Sequence, residues 1–129
     1  MITYSEKLLR YFFQPKFAGT IDNADSIGDV GDIFCGDYLK IWIKIDDGVI
    51  SDIKFKCFGC PAAIATSEAL CELALNKSVE DACKITDEAV ADHLFGLPPE
   101  KFHCSNLGSS ALKIAIDSYN KKTNKVWNE

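Results

Sequence analysis

The feature that most constrains the fold is a strict alternation of apolar and polar residues from Tyr38 to Ile45. Apolar Leu39, Ile41, Ile43 and Ile45 alternate with Lys40, Trp42 and Lys44. A period of two is that of a β-strand with one buried face. The following Asp46-Asp47-Gly48 predicts a tight hairpin turn. The residues from Val49 to Cys57 then return as a second strand, with Ile53, Phe55 and Cys57 on one face.

The rest of the chain is predicted to be mainly helical. Ser5 to Phe13 reads as a short helix, and residues 16–34 read as a long loop with room for one short strand. Pro61 begins an alanine-rich helix that runs to about Asn76. Ser78 caps a short helix, and Thr86 caps another that ends near Phe95.

A last helix is predicted to start at a cap on Ser105 or Asn106 and to end near Lys122. Two apolar helix faces are expected to pack inward: Leu8, Leu9, Phe12 and Phe13 near the N-terminus, and Leu107, Ala111, Ile114, Ala115 and Ser118 in the last helix. This order of elements predicts an α+β fold, a small antiparallel sheet of about three strands with helices packed on one face. The 129 residues are expected to form a single domain, residues 1–129.

Charge and cysteine content narrow the classes of function. A net charge of −5 and a pI near 5.0 argue against nucleic acid or an anionic membrane as a partner. The first residues lack a signal-peptide pattern, and no apolar run approaches the roughly 20 residues of a membrane span. We therefore expect a cytoplasmic protein whose six cysteines are thiols or metal ligands rather than disulfides.

Five side chains suited to soft or borderline metals stand beside Gly, Pro or Ser at predicted loop boundaries: Cys35, Asp37, Cys60, His103 and Cys104. Cys60 and Cys104 precede predicted helices, where a thiol ionises more easily. Tetrahedral coordination needs only four ligands, so the surplus favours a site whose ligands exchange. The residue pattern alone leaves open whether they share one metal site.

The remaining cysteines and His93 have simpler interpretations. Cys71 and Cys83 lie in or beside predicted helices and are expected in the core. Cys57 forms a C-x-x-C pair with Cys60, a spacing found in redox and zinc sites. Because Cys57 continues the buried strand face, we expect it to pack in the core. His93 is expected on the surface.

Three motifs together are specific. They are Phe34-Cys35-Gly36-Asp37, Phe55-Lys56-Cys57-Phe58-Gly59-Cys60 before Ala62-Ala63-Ile64-Ala65, and Leu97-Pro98-Pro99-Glu100-Lys101-Phe102-His103-Cys104-Ser105. Over nearly its whole length, the chain resembles the iron–sulfur cluster scaffold family of IscU and the N-terminal domain of NifU.

The resemblance implies a scaffold that builds a transient [2Fe–2S] cluster and is not itself a turnover enzyme. Cys35, Cys60 and Cys104 would ligate the cluster, Asp37 would tune its lability, and His103 would be an alternative ligand to cluster, iron or zinc. Cys104 would accept persulfide sulfur from a cysteine desulfurase. The isolated protein could carry zinc.

The resemblance also implies partners. Leu97, Pro98, Pro99, Glu100 and Lys101 match a docking peptide for an Hsp70-type chaperone, which acts with a J-type co-chaperone. Glu100 stands where the family often has valine, which makes chaperone dependence an open question. Ferredoxin or another electron donor and apo iron–sulfur proteins complete the expected partners, and the protein could be a monomer or a dimer.

Two alternatives remain open. One is a zinc-bound, SufU-like sulfur-transfer protein that uses the same three cysteines with Asp37. The other is a thiol oxidoreductase that uses Cys57 and Cys60, which would form a disulfide between them.

Overall fold

The computed structural model describes residues 4–32, 37–97 and 104–124. These residues form three strands and five helices, which we number in chain order. The elements are α1 (Glu6–Phe13), β1 (Ser26–Asp32), β2 (Asp37–Asp46), β3 (Val49–Phe58), α2 (Pro61–Ala74), α3 (Val79–Cys83), α4 (Asp87–His93) and α5 (Cys104–Asn124).

The strands form one antiparallel sheet in the order β1-β2-β3. The predicted hairpin is confirmed, since β2 and β3 are joined by Asp47 and Gly48, whose φ angles are 54° and 76°. Positive φ at both positions is the requirement of the tight turn that matches strand twist. The register shifts between Lys44 and Ile45, which marks an irregularity near the turn end of the hairpin.

The helices pack against one face of this sheet, with α5 against β1 and β2 and α2 against β3. We call this the inner face. Its fully or almost fully buried side chains are Leu39, Ile41, Ile43, Ile53 and Phe55. Burying each such apolar side chain contributes about 1.5–3 kcal/mol. The predicted α+β fold, a small antiparallel sheet with helices on one face, is therefore confirmed.

Three of the predicted helix starts are also confirmed by their caps. The hydroxyls of Ser5, Ser78 and Thr86 accept hydrogen bonds from the backbone N–H groups three residues later. Two helices end earlier than predicted. The α2 helix stops at Ala74, and α4 stops at His93.

The loop before β1 is tied to the core by a buried carboxylate. Glu68 of α2 is 2% exposed and accepts hydrogen bonds from the backbone N–H groups of Lys16 and Phe17 at 2.8 and 2.9 Å. Burial raises the pKa of Glu68, and these two hydrogen bonds oppose the rise. The loop then runs along the edge of β3, where Phe17 and Gly19 exchange backbone hydrogen bonds with Phe55.

Three details of the helix predictions are wrong. Phe13 is 72% exposed and Ile114 is 44% exposed, although both were expected to pack inward. The buried face of α5 instead includes Leu112 and Ile116 beside Ala111 and Ala115. The helix also begins at Cys104 itself, before the predicted cap residues.

Candidate functional site

Asp37 and Cys57 project from the same end of the inner face. In the β2–β3 register Leu39 pairs with Cys57, and Asp37 lies two residues before Leu39 on β2. Residues two apart on a strand share a face, so Asp37 and Cys57 are diagonal neighbours, roughly 7–8 Å apart between Cα atoms. Both are half-buried. The structure therefore brings an oxygen donor and a thiol to one corner of the sheet.

Cys60 follows β3 by two residues and is the N-cap of α2, with φ −76° and ψ 170°. Its thiol does not cap the helix, and Pro61 occupies the first helical position. Proline fits there because the first helical N–H has no intrahelical partner. This start directs α2 back over the inner face and leaves the Cys60 sulfur near the positive end of the helix dipole.

Two small residues of α2 bring five parts of the chain together. Ala62 and Ala63 are fully buried, and the partly buried side chains that pack on them are Tyr4, Cys57, Cys60, Leu97 and Leu107. These contacts gather the segment before α1, the end of β3, the start of α2, the residue that opens the Leu-Pro-Pro segment and the first turn of α5. The candidate site lies at this meeting point.

The backbone of Cys104 lies at the same place, since Cys104 is the first residue of α5 and Leu107 comes three residues later. Three helical residues span about 4.5 Å along the axis and lie on neighbouring parts of one face. The start of α5 thus stands within about one turn of the Leu107 contact beside Cys60. Cys60 and the start of α5 therefore lie close together, and Asp37 lies beside Cys57 at the same end of the sheet.

A glycine and a serine of β1 determine where α5 lies. A Cβ atom on Gly28 would stand 2.2 Å from the Ala111 carbonyl oxygen and 2.5 Å from the Ala115 nitrogen, so the helix backbone rests directly on the strand. The Ser26 hydroxyl donates a 2.6 Å hydrogen bond to the Ala115 carbonyl. Because both contacts involve the α5 backbone, they fix the position of this helix, whose first residue is Cys104, relative to the sheet.

Gly31 determines the position of Asp37 in a similar way. Its φ angle is +94°, which favours glycine, and a Cβ atom there would stand 2.1 Å from the Asp37 carbonyl oxygen. Gly31 pairs with Tyr38, next to Asp37, in the β1–β2 register. The close approach of β1 to the first residue of β2 therefore depends on glycine.

Cys57 is a protonated thiol at neutral pH. Burial raises its pKa to about 11; the Ser67 hydrogen bond lowers the value, while electrostatic interactions with Cys60 and Asp37 raise it. Cys57 packs against the main core cluster, as predicted from its strand face. The structure also places it beside Asp37 and Cys60, a proximity that the C-x-x-C spacing indicated and the strand pattern obscured.

The other described cysteines belong to the core rather than to the site. Cys71 is fully buried, and burial raises its pKa well above the usual range. Cys83 is half-buried between α3 and α5, and burial raises its pKa too. Cys57, Cys60, Cys71 and Cys83 are thiols rather than disulfides.

His93 is not the surface histidine that the sequence predicts. Its Nε2 atom lies 2.5 Å from the Glu72 Oε1 atom, and the Tyr11 hydroxyl also donates to Glu72. Burial raises the pKa of Glu72, but the hydrogen bonds from Tyr11 and His93 and the His93 charge outweigh it and leave the pKa below its usual value. This network joins α1, α2 and α4 away from the thiols.

Several predicted residues lie outside the described residues: Cys35, His103, Pro98, Pro99, Glu100 and Lys101. For Cys104 only the backbone is described. Among the side chains that are described, no three His, Cys, Asp or Glu groups lie close enough to hold a metal ion. In the same parts of the chain, no helix combines the length and the apolar character needed to cross a membrane.

Comparison with protein families gives a match over residues 3–126 to the family described as "NifU-like N terminal domain". The chain belongs to the NifU-like N-terminal domain family. Within this family it is 50% identical over 123 residues to the iron–sulfur cluster assembly scaffold protein IscU 1 of Archaeoglobus fulgidus, an alignment that covers 95% of this chain and 80% of the relative. The IscU scaffold protein of Aquifex aeolicus is 39% identical over 125 residues, with the same coverage.

A nitrogen fixation protein NifU of the same family, from Azotobacter chroococcum mcd 1, is 44% identical over 121 residues. Those residues cover 92% of this chain and 39% of that longer protein. Among solved structures, the N-terminal part of a NifU-like protein from Brucella abortus superimposes with a TM-score of 0.71 at 15% identity, covering 91% of this chain and 94% of the other. Its backbone likeness confirms the NifU-like fold.

Proposed function

We propose that this member of the NifU-like N-terminal domain family is a scaffold on which iron–sulfur clusters are assembled and from which they are released. The observation that carries the proposal is the meeting of Cys57, Cys60 and the first turn of α5 around Ala62 and Ala63, with Asp37 beside Cys57. Relatives named as IscU scaffolds, which are 39% and 50% identical, support the same function. An open corner of a sheet with thiolate and carboxylate donors suits a cargo that must enter and leave.

Sulfur enters in the first step. A Cys104 thiolate attacks the outer sulfur of a cysteine desulfurase persulfide, so a new S–S bond forms on Cys104 and the desulfurase cysteine leaves as a thiolate. Iron, the second substrate, is bound by the cysteine and carboxylate donors. A two-electron donor system then converts the persulfide sulfur to sulfide and regenerates the cysteine thiolate.

The ligands proposed for the assembled [2Fe–2S] cargo are Cys35, Cys60, Cys104 and either Asp37 or His103. Four cysteines hold such clusters most commonly. One oxygen or nitrogen ligand in their place makes a weaker bond and so favours release to an apo protein. Leu97 packs on the same alanines as Cys60. A chaperone that binds Leu97 to Lys101 would therefore act on residues that contact the site.

Anaerobic reconstitution tests this proposal. The native protein is mixed with Fe²⁺, cysteine and a cysteine desulfurase, and the [2Fe–2S] chromophore is followed by absorption and Mössbauer spectroscopy. We expect a cluster to form in the native protein and not in Cys60→Ser. Failure of the native protein to form one would exclude the scaffold function, and tight retention of zinc without a cluster would favour the SufU-like alternative.

Substitution of Cys57 separates the scaffold from the dithiol alternative. Cys57→Ser should form a cluster like the native protein, because the Cys57 thiol stays protonated at neutral pH and a serine hydroxyl retains a hydrogen bond with Ser67. Reconstitution of Cys57→Ser beside Cys60→Ser checks this. Equal loss of cluster formation in both variants would favour the alternative in which Cys57 and Cys60 act together as a redox dithiol.

A further inference from the structure

A cavity between the end of α1 and the middle of α2 is lined by charged and polar side chains. We call it the α1–α2 cavity; its volume is about 290 Å³, and its lining residues are Arg10, Tyr11, Gln14, Lys16, Glu68 and Glu72. Ligand cavities commonly measure about 300–1,000 Å³, so this one suits a small molecule. It is separate from the corner of the sheet that holds Asp37, Cys57 and Cys60, which we call the thiol corner.

Two carboxylates of α2 occupy the inner part of this cavity. Glu68 is 2% exposed, and Glu72 stands four residues later on the same helix face, a spacing at which like charges destabilise a helix. Burial raises the pKa of Glu68, and the neighbouring charge of Glu72 raises it further. The Tyr11 hydroxyl and His93 both bind the Oε1 atom of Glu72, and none of the described residues donates to its Oε2 atom. A cationic group bound here would relieve the repulsion between the carboxylates.

Two cations stand at the outer edge of the same cavity. The side chains of Arg10 and Lys16 are exposed, and no carboxylate of the described residues lies within 4.0 Å of either. Lys16 nevertheless interacts electrostatically with both Glu68 and Glu72. The positive and negative groups therefore line one space without touching each other.

This arrangement of charge selects the kind of ligand. An anion that enters toward Arg10 and Lys16 meets the two carboxylates behind them, and a cation that enters toward the carboxylates passes the two positive groups. Because an unpaired charge is costly to desolvate, neither ion alone fits well. A molecule that carries an ammonium and a carboxylate group close together has a partner for each. An α-amino acid carries both groups on one carbon atom.

We propose that the α1–α2 cavity binds a small α-amino acid with an uncharged side chain, as its zwitterion. Its ammonium group lies toward Oε2 of Glu72, and its carboxylate lies toward Arg10 and Lys16. An acidic side chain would be repelled by the carboxylates of the cavity and a basic one by its cations. This inference goes beyond the proposed scaffold function and does not depend on it. The ligand would bridge α1 and α2, the helix that starts directly after Cys60, and would stabilise the folded state by binding to it alone.

NMR titration of the native protein with three small molecules tests the need for both charges. The probes are L-alanine, propionate, which lacks the ammonium group, and ethylamine, which lacks the carboxylate. The signals followed are the backbone amides of Lys16 and Phe17, which donate hydrogen bonds to Glu68. We expect saturable shifts with L-alanine and binding at least about tenfold weaker for each of the other probes, because each lacks one charge-assisted interaction.

The protein side is tested with Arg10→Gln/Lys16→Gln, which should bind L-alanine at least about tenfold more weakly than the native protein. The matched control is Lys77→Gln/Lys121→Gln, which changes the net charge equally at two exposed lysines outside the cavity and should bind within about twofold of native. Because the side chains of Arg10 and Lys16 are exposed, their replacement should leave the native spectrum, and so the fold, intact.

Absence of saturable shifts with L-alanine would overturn the proposal. Propionate binding as tight as that of L-alanine would make the cavity an anion site, and ethylamine binding as tight would make it a cation site; either result contradicts a zwitterion site. Equal weakening in the two double variants would also overturn the proposal, since it would show an effect of net charge rather than of Arg10 and Lys16.

Discussion

Asp37 is the residue where a small change in chemistry should have the largest effect on cargo release. Its carboxylate lies at the corner that also holds Cys57 and Cys60, and its backbone is held by the close approach of Gly31. A carboxylate is a harder ligand than a thiolate and binds iron–sulfur clusters less firmly. Under the proposed scaffold function, a side chain placed in this way would bind the cargo during assembly and give it up to a recipient.

The corresponding prediction concerns Asp37→Ala. A reconstituted cluster should persist longer in air in this variant than in the native protein, because the exchangeable oxygen ligand is absent. Decay of the visible chromophore in aerated buffer measures this. Asp46→Ala, an exposed carboxylate at the hairpin end of β2, is the matched control. Faster decay in Asp37→Ala than in both native protein and control would show that Asp37 protects the cluster.

At the residue scale, the sequence identified candidate side chains but not which of them are neighbours. Cys60 and Asp37 were chosen for their chemistry and their place beside glycines, and the structure puts both at one corner. Cys57 was assigned to the core from strand alternation, which is correct for its packing. Its proximity to Asp37 depends on the register of β2 and β3, and periodicity in one strand carries no information on register.

At the scale of elements, the contact between α5 and β1 decides whether Cys104 reaches the site. Gly28→Ala should therefore move α5 and destabilise the protein by about 1–3 kcal/mol, because the added methyl group would meet helix backbone rather than a flexible side chain. Urea unfolding measures the loss. Ser51→Ala, at an exposed strand position, should change the stability by less than about 0.5 kcal/mol. An equal change in the two variants would contradict this account of the contact.

The opposed lysines of β2 and β3 lead to a prediction of increased stability. Lys40→Glu should raise the free energy of unfolding by about 0.2–1 kcal/mol, because a like-charge pair with Lys56 becomes an opposite-charge pair. Urea unfolding at low salt measures the gain, and Lys77→Glu serves as the control. A loss of stability in Lys40→Glu would mean that its packing over Trp42 matters more than its charge.

The difference between local and distant contacts explains why some predictions about the helices succeeded and others failed. The hairpin and the Ser5, Ser78 and Thr86 caps depend on residues next to each other in the chain, so local patterns identify them. The inner face of α5 depends on Gly28, which lies far away in sequence. Because only small residues fit against that glycine, Ala111 and Ala115 face the strand and the larger Ile114 is turned toward solvent.

At the scale of the whole molecule, the Tyr11–Glu72–His93 network connects α1 and α4 to α2, the helix that packs on β3. Burial and the Glu72 hydrogen bond raise the pKa of Tyr11 to about 12, while the pKa of Glu72 is below its usual value. The folded state therefore holds the Tyr11 proton more tightly than the unfolded state and the Glu72 proton less tightly. The network's contribution to stability is present between these limits; it falls as pH drops below about 4.5 and as pH rises from about 10 toward 12.

Tyr11→Phe should lower the free energy of unfolding at pH 7 by about 1–2 kcal/mol, because a partly buried hydrogen bond to a carboxylate is lost. The difference between native protein and variant should shrink above about pH 10, where native stability falls. Urea unfolding at several pH values measures both effects. In a double-mutant cycle with Glu72→Gln, strictly additive losses would contradict a direct Tyr11–Glu72 interaction.

The Asp47–Gly48 turn closes the hairpin at the end of the sheet away from the thiol corner. From Asp37 to Asp46 the strand covers about 30 Å. A fluorophore or affinity handle inserted at this turn would therefore report on docking and cluster transfer without touching the site. It would also leave all six cysteines available for chemistry rather than for labelling.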